Sequence, residues 1–594
     1  MAKGRKARGS GAVETNANDE RREKDSTEEW VEETSEWNAS PAYEAFLVVL
    51  ASTCVKVVAA TAPMLLYSTD LEVHRHWMST VWQKPLHEWY PASGECSLWS
   101  LDYPPLFAWF ELLCACWAHV FVLFLSFFSS LSPEESLSLS LRDQPMPRDP
   151  AGPRVQVEVQ RMLLMRCTDA DHPMPEHSHD AVAFMRLTVV AADLLLAAAL
   201  LLYCRGLRWP KSTAIGLRGR GLTMLLVLLN ACLFMVDHMH FQYNGMLLGI
   251  LVLGMAALEQ GRPYAAAATF AVLVNMKHLF LGVCPAVFIY LLRAHCCPAG
   301  ERVRWLRIVG LALTGVVVFA ISLGPFVVMG QAKLLVSRLF PVERGLCHAY
   351  WAPNLWALYA GADWALVRTL RLAGREVEGR GGFTGGLVAS GESTAVLPMV
   401  SASFCSALLL LSLLPILWKL WKMPFRHMVV PAVSLSALCM FSFGFHTHEK
   451  ALLVPLIPLT LLLLQEGSPY ADIQFIMSVL ANAAVGPLLQ DMASVAIAID
   501  LQLLSVVVQS MVLYEWGSDA VARVGWLWRT YLAGVACTYC YWAFGHGLLV
   551  GERLPFLPLL LHSCYCALGV LALLARFYCR FLAAHQEAPK EKAA

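Results

Sequence analysis

Between two apolar runs the chain reads S-T-D-L-E-V-H-R-H-W from Ser68 to Trp77, which sets Asp70, Glu72, His74 and Arg75 in one short polar stretch. A carboxylate just beyond a membrane edge is costly unless it binds something polar or moves a proton. An imidazole and a guanidinium beside it suit hydroxyl or phosphate partners. The same polar loop, Tyr67 to Pro105, continues through H-E-W-Y at 87–90 and W-S-L-D-Y-P-P at 99–105. Its tryptophans, Trp77, Trp82, Trp89 and Trp99, read by themselves as interfacial anchors. Asp102 sits in a turn where a carboxylate can simply cap backbone donors. For Arg75 and Arg344 the plain alternative to a ligand is an ion pair with Glu72 or Glu343.

Three further clusters lie at the edges of apolar runs: D-H-M-H-F-Q-Y-N-G at 237–245, N-M-K-H at 275–278 and F-G-F-H-T-H-E-K at 443–450. Ionisable residues in such places are functional candidates. His446, Thr447, His448 and Glu449 lack the H-E-x-x-H spacing that sets two imidazoles on one helix face, so no metal site is expected. One imidazole and one ammonium, His448 and Lys450, suffice to hold a phosphate or a hydroxyl.

The elements that must position these groups are membrane helices. The 594 residues are 57% hydrophobic, with a mean hydropathy of +0.52, more than a soluble domain of this size carries. Apolar runs near 45–66, 105–131, 182–204, 221–239, 263–293, 307–330, 396–418, 427–465, 471–514, 526–550 and 555–584 are long enough for roughly 12–14 spans of hydrocarbon. Continuous apolar runs, as opposed to alternation at every second residue, predict an all-α polytopic bundle. A net charge of zero gives no nucleic-acid footprint. Most cysteines fall within apolar runs, where they pack as small hydrophobes.

The predicted organisation begins with a disordered cytosolic tail (1–43). A membrane module (44–330) follows, carrying the loop 67–105 and a solvated insertion at 132–179. Next come a segment at 331–395 with a Gly-rich insertion at 372–394, a second module (396–584) and a basic cytosolic end (585–594). Phe46 to Leu66 is expected to act as an uncleaved signal anchor, which makes the loop 67–105 luminal. The last residues, Lys590 to Ala594, resemble the K-x-K-x-x retrieval signal of endoplasmic-reticulum membrane proteins.

Taken in order, these motifs resemble the dolichyl-phosphate-glucose-dependent α-1,3-glucosyltransferases of the endoplasmic reticulum, membrane enzymes of the GT-C class. The matching pieces are the 68–77 stretch, L-D-Y-P-P-L-F-A-W-F-E at 101–111, H-F-Q-Y-N-G at 240–245 and N-M-K-H-L-F at 275–280. S-R-L-F-P at 337–341, R-G-L-C-H-A-Y-W-A-P-N-L-W-A-L-Y at 344–359 and G-F-H-T-H-E-K-A-L-L at 444–453 complete them. Within the family, D-L-E-V-H-R and R-G-L-C-H-A-Y-W-A-P-N are most similar to the enzyme that adds the second glucose; a sister enzyme adds the first. The long acidic tail and the insertions at 132–179 and 372–394 depart from the pattern and leave loop topology open.

The resemblance implies inverting transfer of glucose from dolichyl-phosphate-glucose to a dolichyl-diphosphate-linked oligosaccharide, with no nucleotide sugar, metal or other cofactor. It assigns Asp70 as the catalytic base and His448 to the neighbourhood of the donor. Lys450, Glu72, His74, Arg75, Asp102, Arg344, His348 and Trp351 are implied as substrate-binding residues, and Trp351 and Trp356 as platforms for sugars. It also implies an active site facing the lumen. A different reading, a polytopic transporter, would line its route with Asp193, Asp237, Lys277 and His278, but two matching halves with interrupted helices are not evident. A catalytically silent scaffold is disfavoured by the retention of Asp70 and His448.

Overall fold

The computed structural model describes residues 40–62, 68–90, 99–129, 179–206, 213–340, 345–347, 352–377, 394–464, 468–489, 491–515 and 523–584. The terminal tails, most of both insertions, and Arg344, His348 and Trp351 lie outside the described residues. The described elements are helical. Among the described residues, eight helices are long and apolar enough to cross a membrane, and five shorter apolar helices accompany them.

In chain order, the helices that frame the polar clusters are α1 (Ser40–Thr61), α2 (Thr69–Gln83), α3 (Pro105–Ser129), α4 (His179–Gly206), α5 (Asn244–Glu259), α6 (Pro263–Met276) and α7 (Cys284–Leu291). They are followed by α8 (Trp305–Val328), α9 (Leu355–Leu372), α10 (Ala402–Lys422), α11 (Val429–Phe443), α12 (Leu453–Leu461), α13 (Ala471–Val485) and α14 (Leu557–Ala583). Helix α5 is the hub, packed along both α4 and α6. Gly249 permits the first of these contacts, because a Cβ there would stand 2.7 Å from the backbone nitrogen of Leu196 on α4. Helix α8 lies at the rim, with Leu306, Val316, Ile321 and Val328 left exposed, as expected of a face turned to lipid.

Much of the first polar loop folds as helix α2, packed against α3. Ser68 caps it by accepting from the Leu71 amide at 3.3 Å. Leu71, His74, Arg75, Met78 and Val81 are buried at the three- and four-residue spacing that makes one face of a helix. The apolar run 263–293 also breaks. Helix α6 ends at Met276, Lys277 is extended, and a 3₁₀ turn (His278–Gly282) precedes α7.

Between Asn230 and Gly245 the chain is irregular. Asn230 restarts a helix by accepting from the Leu233 amide at 3.2 Å. A π-helical turn (Phe234–Met239) follows, and Phe241 then takes a φ of 76°. Such departures from regular geometry concentrate where a site demands a particular side-chain direction.

Candidate active site

Asp70 lies in the first turn of α2, where the positive end of the helix favours a carboxylate. Its Oδ2 accepts from Lys450 Nζ at 2.6 Å and from Gln242 Nε2 at 2.6 Å, and His240 Nε2 stands 3.4 Å away. Three motifs separated by as many as 380 residues thus meet on one oxygen. Asp70 keeps 25% of its side chain exposed, His240 13% and Lys450 11%, so the cluster is walled in yet open to a ligand. Burial works to raise the Asp70 carboxyl, but the Lys450 ammonium and the His240 imidazole outweigh it and hold the group well below the usual carboxylate range. Burial, helped by Lys450, pushes the His240 imidazole down, leaving it uncharged at neutral pH.

The backbone that holds this arrangement is fixed from behind. Ser68 donates its hydroxyl to the His240 carbonyl, joining the cap of α2 to the 240–245 segment. Asn244 donates to Gln242 Oε1 and to Asp237 Oδ1, each at 2.8 Å, and accepts from Lys277 Nζ at 3.1 Å. The Gly245 amide donates to Asp237 Oδ2 at 2.6 Å. The amide that presents itself to Asp70 is therefore locked in one orientation, as an acceptor already occupied on its oxygen.

The 444–453 motif is anchored to the 344–359 motif. The His446 amide donates to the Leu346 carbonyl at 3.0 Å, and its Nδ1 lies 3.0 Å from the Gly345 carbonyl. Asn354 Nδ2 donates to Phe441 at 3.1 Å and Trp356 Nε1 to Gly444 at 2.9 Å. His446 is held at a φ of 50°, and its ring meets that of His448 edge-on, 5.7 Å away.

Several sequence-based expectations are redirected by this geometry. Glu72, His74 and Arg75 are 0%, 3% and 3% exposed, so none is placed to touch a substrate. Arg75 pairs with Glu72 at 3.3 Å, the plain alternative considered for it, and burial raises the Glu72 carboxyl despite that partner. His74 Nδ1 lies 2.6 Å from Glu111 Oε1 inside a ring of Trp77, Tyr103, Phe107, Phe241 and Tyr243. The His74–Glu111 contact fastens α2 to α3, while the Glu72–Arg75 pair closes within α2 itself, and Asp70 is presented at the start of that helix. Trp356, proposed as a sugar platform, is 2% exposed and holds the backbone instead.

Asp102 is half-buried beside Tyr90 and Tyr103, whose hydroxyls burial, and then its charge, push up. Among the described residues, no group of three or more His, Cys, Asp or Glu is placed to hold a metal. Gln242, His240 and Asn244 were not singled out from sequence as site residues. Their signal was the polar run D-H-M-H-F-Q-Y-N-G at the end of an apolar helix. Three of the four groups of the transporter reading are spent on internal pairs: Asp193 accepts from Lys56, Asp237 from Asn244, and Lys277 donates to Asn244.

The sequence profile of the ALG6, ALG8 glycosyltransferase family matches residues 52–136 and 158–577. The dolichyl pyrophosphate Glc1Man9GlcNAc2 alpha-1,3-glucosyltransferase of Arabidopsis thaliana is 35% identical over 517 residues, covering 85% of this chain and 92% of its own length. The protein of the same name from Mus musculus is 34% identical over 539 residues, covering 87% and 92%. A Drosophila melanogaster protein named as a probable enzyme of this kind is 35% identical over 529 residues, covering 86% and 90%.

Proposed function

The chain belongs to the ALG6, ALG8 glycosyltransferase family, and we propose that it moves glucose from dolichyl-phosphate-glucose to the terminal α-1,3-glucose of the monoglucosylated dolichyl-diphosphate oligosaccharide. The acceptor follows the relatives that act on Glc1Man9GlcNAc2, and the sister activity, addition of the first glucose, is not favoured. The observation that carries the chemistry is an accessible carboxylate at Asp70, kept ionised by Lys450 at 2.6 Å.

A β-linked donor giving an α-linked product requires one displacement at the anomeric carbon, from the face opposite the phosphate. Asp70 takes the proton of the acceptor 3-hydroxyl as that oxygen forms its bond to C1. The C1–O bond to phosphate breaks, and dolichyl phosphate departs with the electron pair. Lys450 and His448 supply the positive charge and hydrogen-bond donor that steady the phosphate as its charge grows. A phosphate is already a good leaving group, so neither a metal nor another cofactor is required, and activity should persist in EDTA.

This reading places the enzyme in the endoplasmic-reticulum membrane with Asp70 facing the lumen, where the relatives' oligosaccharide acceptor would be extended. Transfer of labelled glucose from dolichyl-phosphate-glucose to defined acceptors tests it. Extension of the monoglucosylated acceptor, with the unglucosylated one left unchanged, is expected; the reverse preference would assign the sister reaction.

A further inference from the structure

The helices that carry the Asp70 cluster have a second set of ends. Helix α5 leaves the cluster at Asn244 and reaches Glu259, about 24 Å away at 1.5 Å per residue; α6 returns from Pro263 to Lys277. At that far side a cavity of about 590 Å³ opens between the α5–α6 turn, the end of α7 and the start of α11. Arg262, Arg426, His295 and His427 line it, together with the rings of Tyr290 and Phe425. We propose that it binds the phosphate of an anionic membrane lipid, in the leaflet opposite the catalytic face.

The cationic groups here outnumber the carboxylates that could neutralise them. The Arg262 side chain makes no hydrogen bond or ion pair among the described residues. Arg426 donates to the Glu259 carbonyl oxygen at 3.2 Å, and behind the cavity Arg307 donates to the His295 carbonyl at 3.1 Å and Arg293 to Trp421 at 3.0 Å. Backbone carbonyls satisfy their geometry and leave their charge. The carboxylates nearby are Glu259, whose charge faces Arg426, and Glu301, already bonded to Arg304. His295 Nε2 is shielded from solvent and has no partner among the described residues. Gly261, at a φ of 68°, turns the chain where a Cβ would come within 3.0 Å of Arg426 Nη2, so the turn lays Arg262 and Arg426 on one opening.

The depth of the cavity favours a lipid over a soluble anion. Trp305 at the start of α8, and Trp418 and Trp421 near the end of α10, are 70%, 65% and 38% exposed and mark the level of the headgroups. Basic loop residues on one side are expected of any polytopic protein. Here they surround a concave space with apolar walls, and planar guanidinium groups match phosphate geometry.

The test titrates the purified full-length protein, in neutral mixed micelles, with dioleoyl phosphatidic acid or with dioleoylglycerol, which has the same chains and no phosphate, and follows thermal unfolding. Phosphatidic acid should stabilise in a saturable manner and dioleoylglycerol should not. Arg262→Gln should weaken the lipid response about tenfold, as loss of one charge-assisted hydrogen bond does, and Arg262→Gln with Arg426→Gln should remove it. The single variant keeps the proposal testable even if the double variant fails to fold, since the Arg262 side chain is exposed and bonds to nothing described. An unchanged response in Arg262→Gln, or an equal response to dioleoylglycerol, overturns the site. Displacement of the lipid by an equal concentration of inorganic phosphate overturns the lipid as its occupant. None of these readings depends on glucose transfer.

Discussion

Asp70 and Asp193 each accept from a lysine ammonium at 2.6 Å, Lys450 in one case and Lys56 in the other. Each also has a histidine nearby, His240 at 3.4 Å from Asp70 and His238 at 2.9 Å from Asp193. What separates them is access. The Asp193 and Lys56 side chains are 3% and 4% exposed, whereas Asp70 keeps a quarter of its surface open. The closed grouping joins α1 to α4 and to the π turn beneath the site, which makes it a fastening. The open one can accept a proton from a molecule that enters. The same ionic motif is thus closed to a second reactant in one place and open to it in the other.

The sharpest way to break that contrast is to remove each carboxylate. Asp70→Asn keeps the volume and loses the proton acceptor, so transfer should fall by at least the roughly 10²–10⁴-fold of general-base catalysis, with a smaller drop in melting temperature than Asp193→Ala, because Asp70 and Lys450 stay in reach of water. Near wild-type transfer by that variant would dismiss Asp70 as the base. Asp193→Ala should do the reverse by leaving Lys56 buried without its partner, a loss of about 3–5 kcal/mol, read as a lowered denaturation midpoint. Lys56→Met combined with Asp193→Leu should recover most of it, because a buried pair replaced by apolar groups costs little. Failure of the double variant to recover would mean that the triad does more than fasten.

Lys450→Gln sharpens the comparison through pH. Lys450 opposes the effect of burial on Asp70, so without it the carboxyl binds its proton more readily and less of the base is ionised. The acid limb of kcat/KM should move to higher pH, with transfer at neutral pH reduced about 10–100-fold, the worth of a charged hydrogen bond. An unmoved acid limb would separate Lys450 from Asp70. The pair also contributes stability that is complete above the unfolded-chain value of about 4 and is lost as pH falls through the depressed folded value. His448→Ala should be milder, about tenfold, because Lys450 still faces the leaving phosphate.

How far the sequence foretold these outcomes depends on the scale of the interaction. The spanning helices were legible because each one's apolar run must cross hydrocarbon regardless of its neighbours. Asp70, Lys450 and the 240–245 segment were legible as polar residues that a membrane tolerates only for a purpose. Their meeting on one oxygen was not, since Gln242 lies 172 residues from Asp70 and an amide carries no local mark of its partner. The burial of Glu72, His74 and Arg75 was hidden for a related reason. Charge suggested exposure, while their spacing with Leu71 and Met78 along α2 fixed them on its packed face, where Glu72 and Arg75 satisfy each other and Glu111 satisfies His74.

The smallest expected effect belongs to Asp102→Asn, and it decides between two bases. Asp102 lies in the same polar segment as Asp70, is also half-buried, and follows the second cluster of aromatic residues. Its charge is felt by Tyr90 and Tyr103, whose hydroxyls burial already holds above their ordinary value. Both phenols are therefore uncharged at neutral pH with or without Asp102, and Lys277, the cation over the Tyr103 ring that also feels Asp102, is supported more strongly by Asp237 and Asp70. Tyr103 remains stacked edge-on against Phe107 at 4.7 Å, and Tyr90 remains bonded to the Tyr103 carbonyl at 2.7 Å. Transfer by the purified variant should therefore stay within about threefold of wild type, a difference under 1 kcal/mol. If Asp102→Asn lost activity while Asp70→Asn retained it, the proton would have to leave through Asp102, and the Lys450 pair would join Asp193 as a fastening.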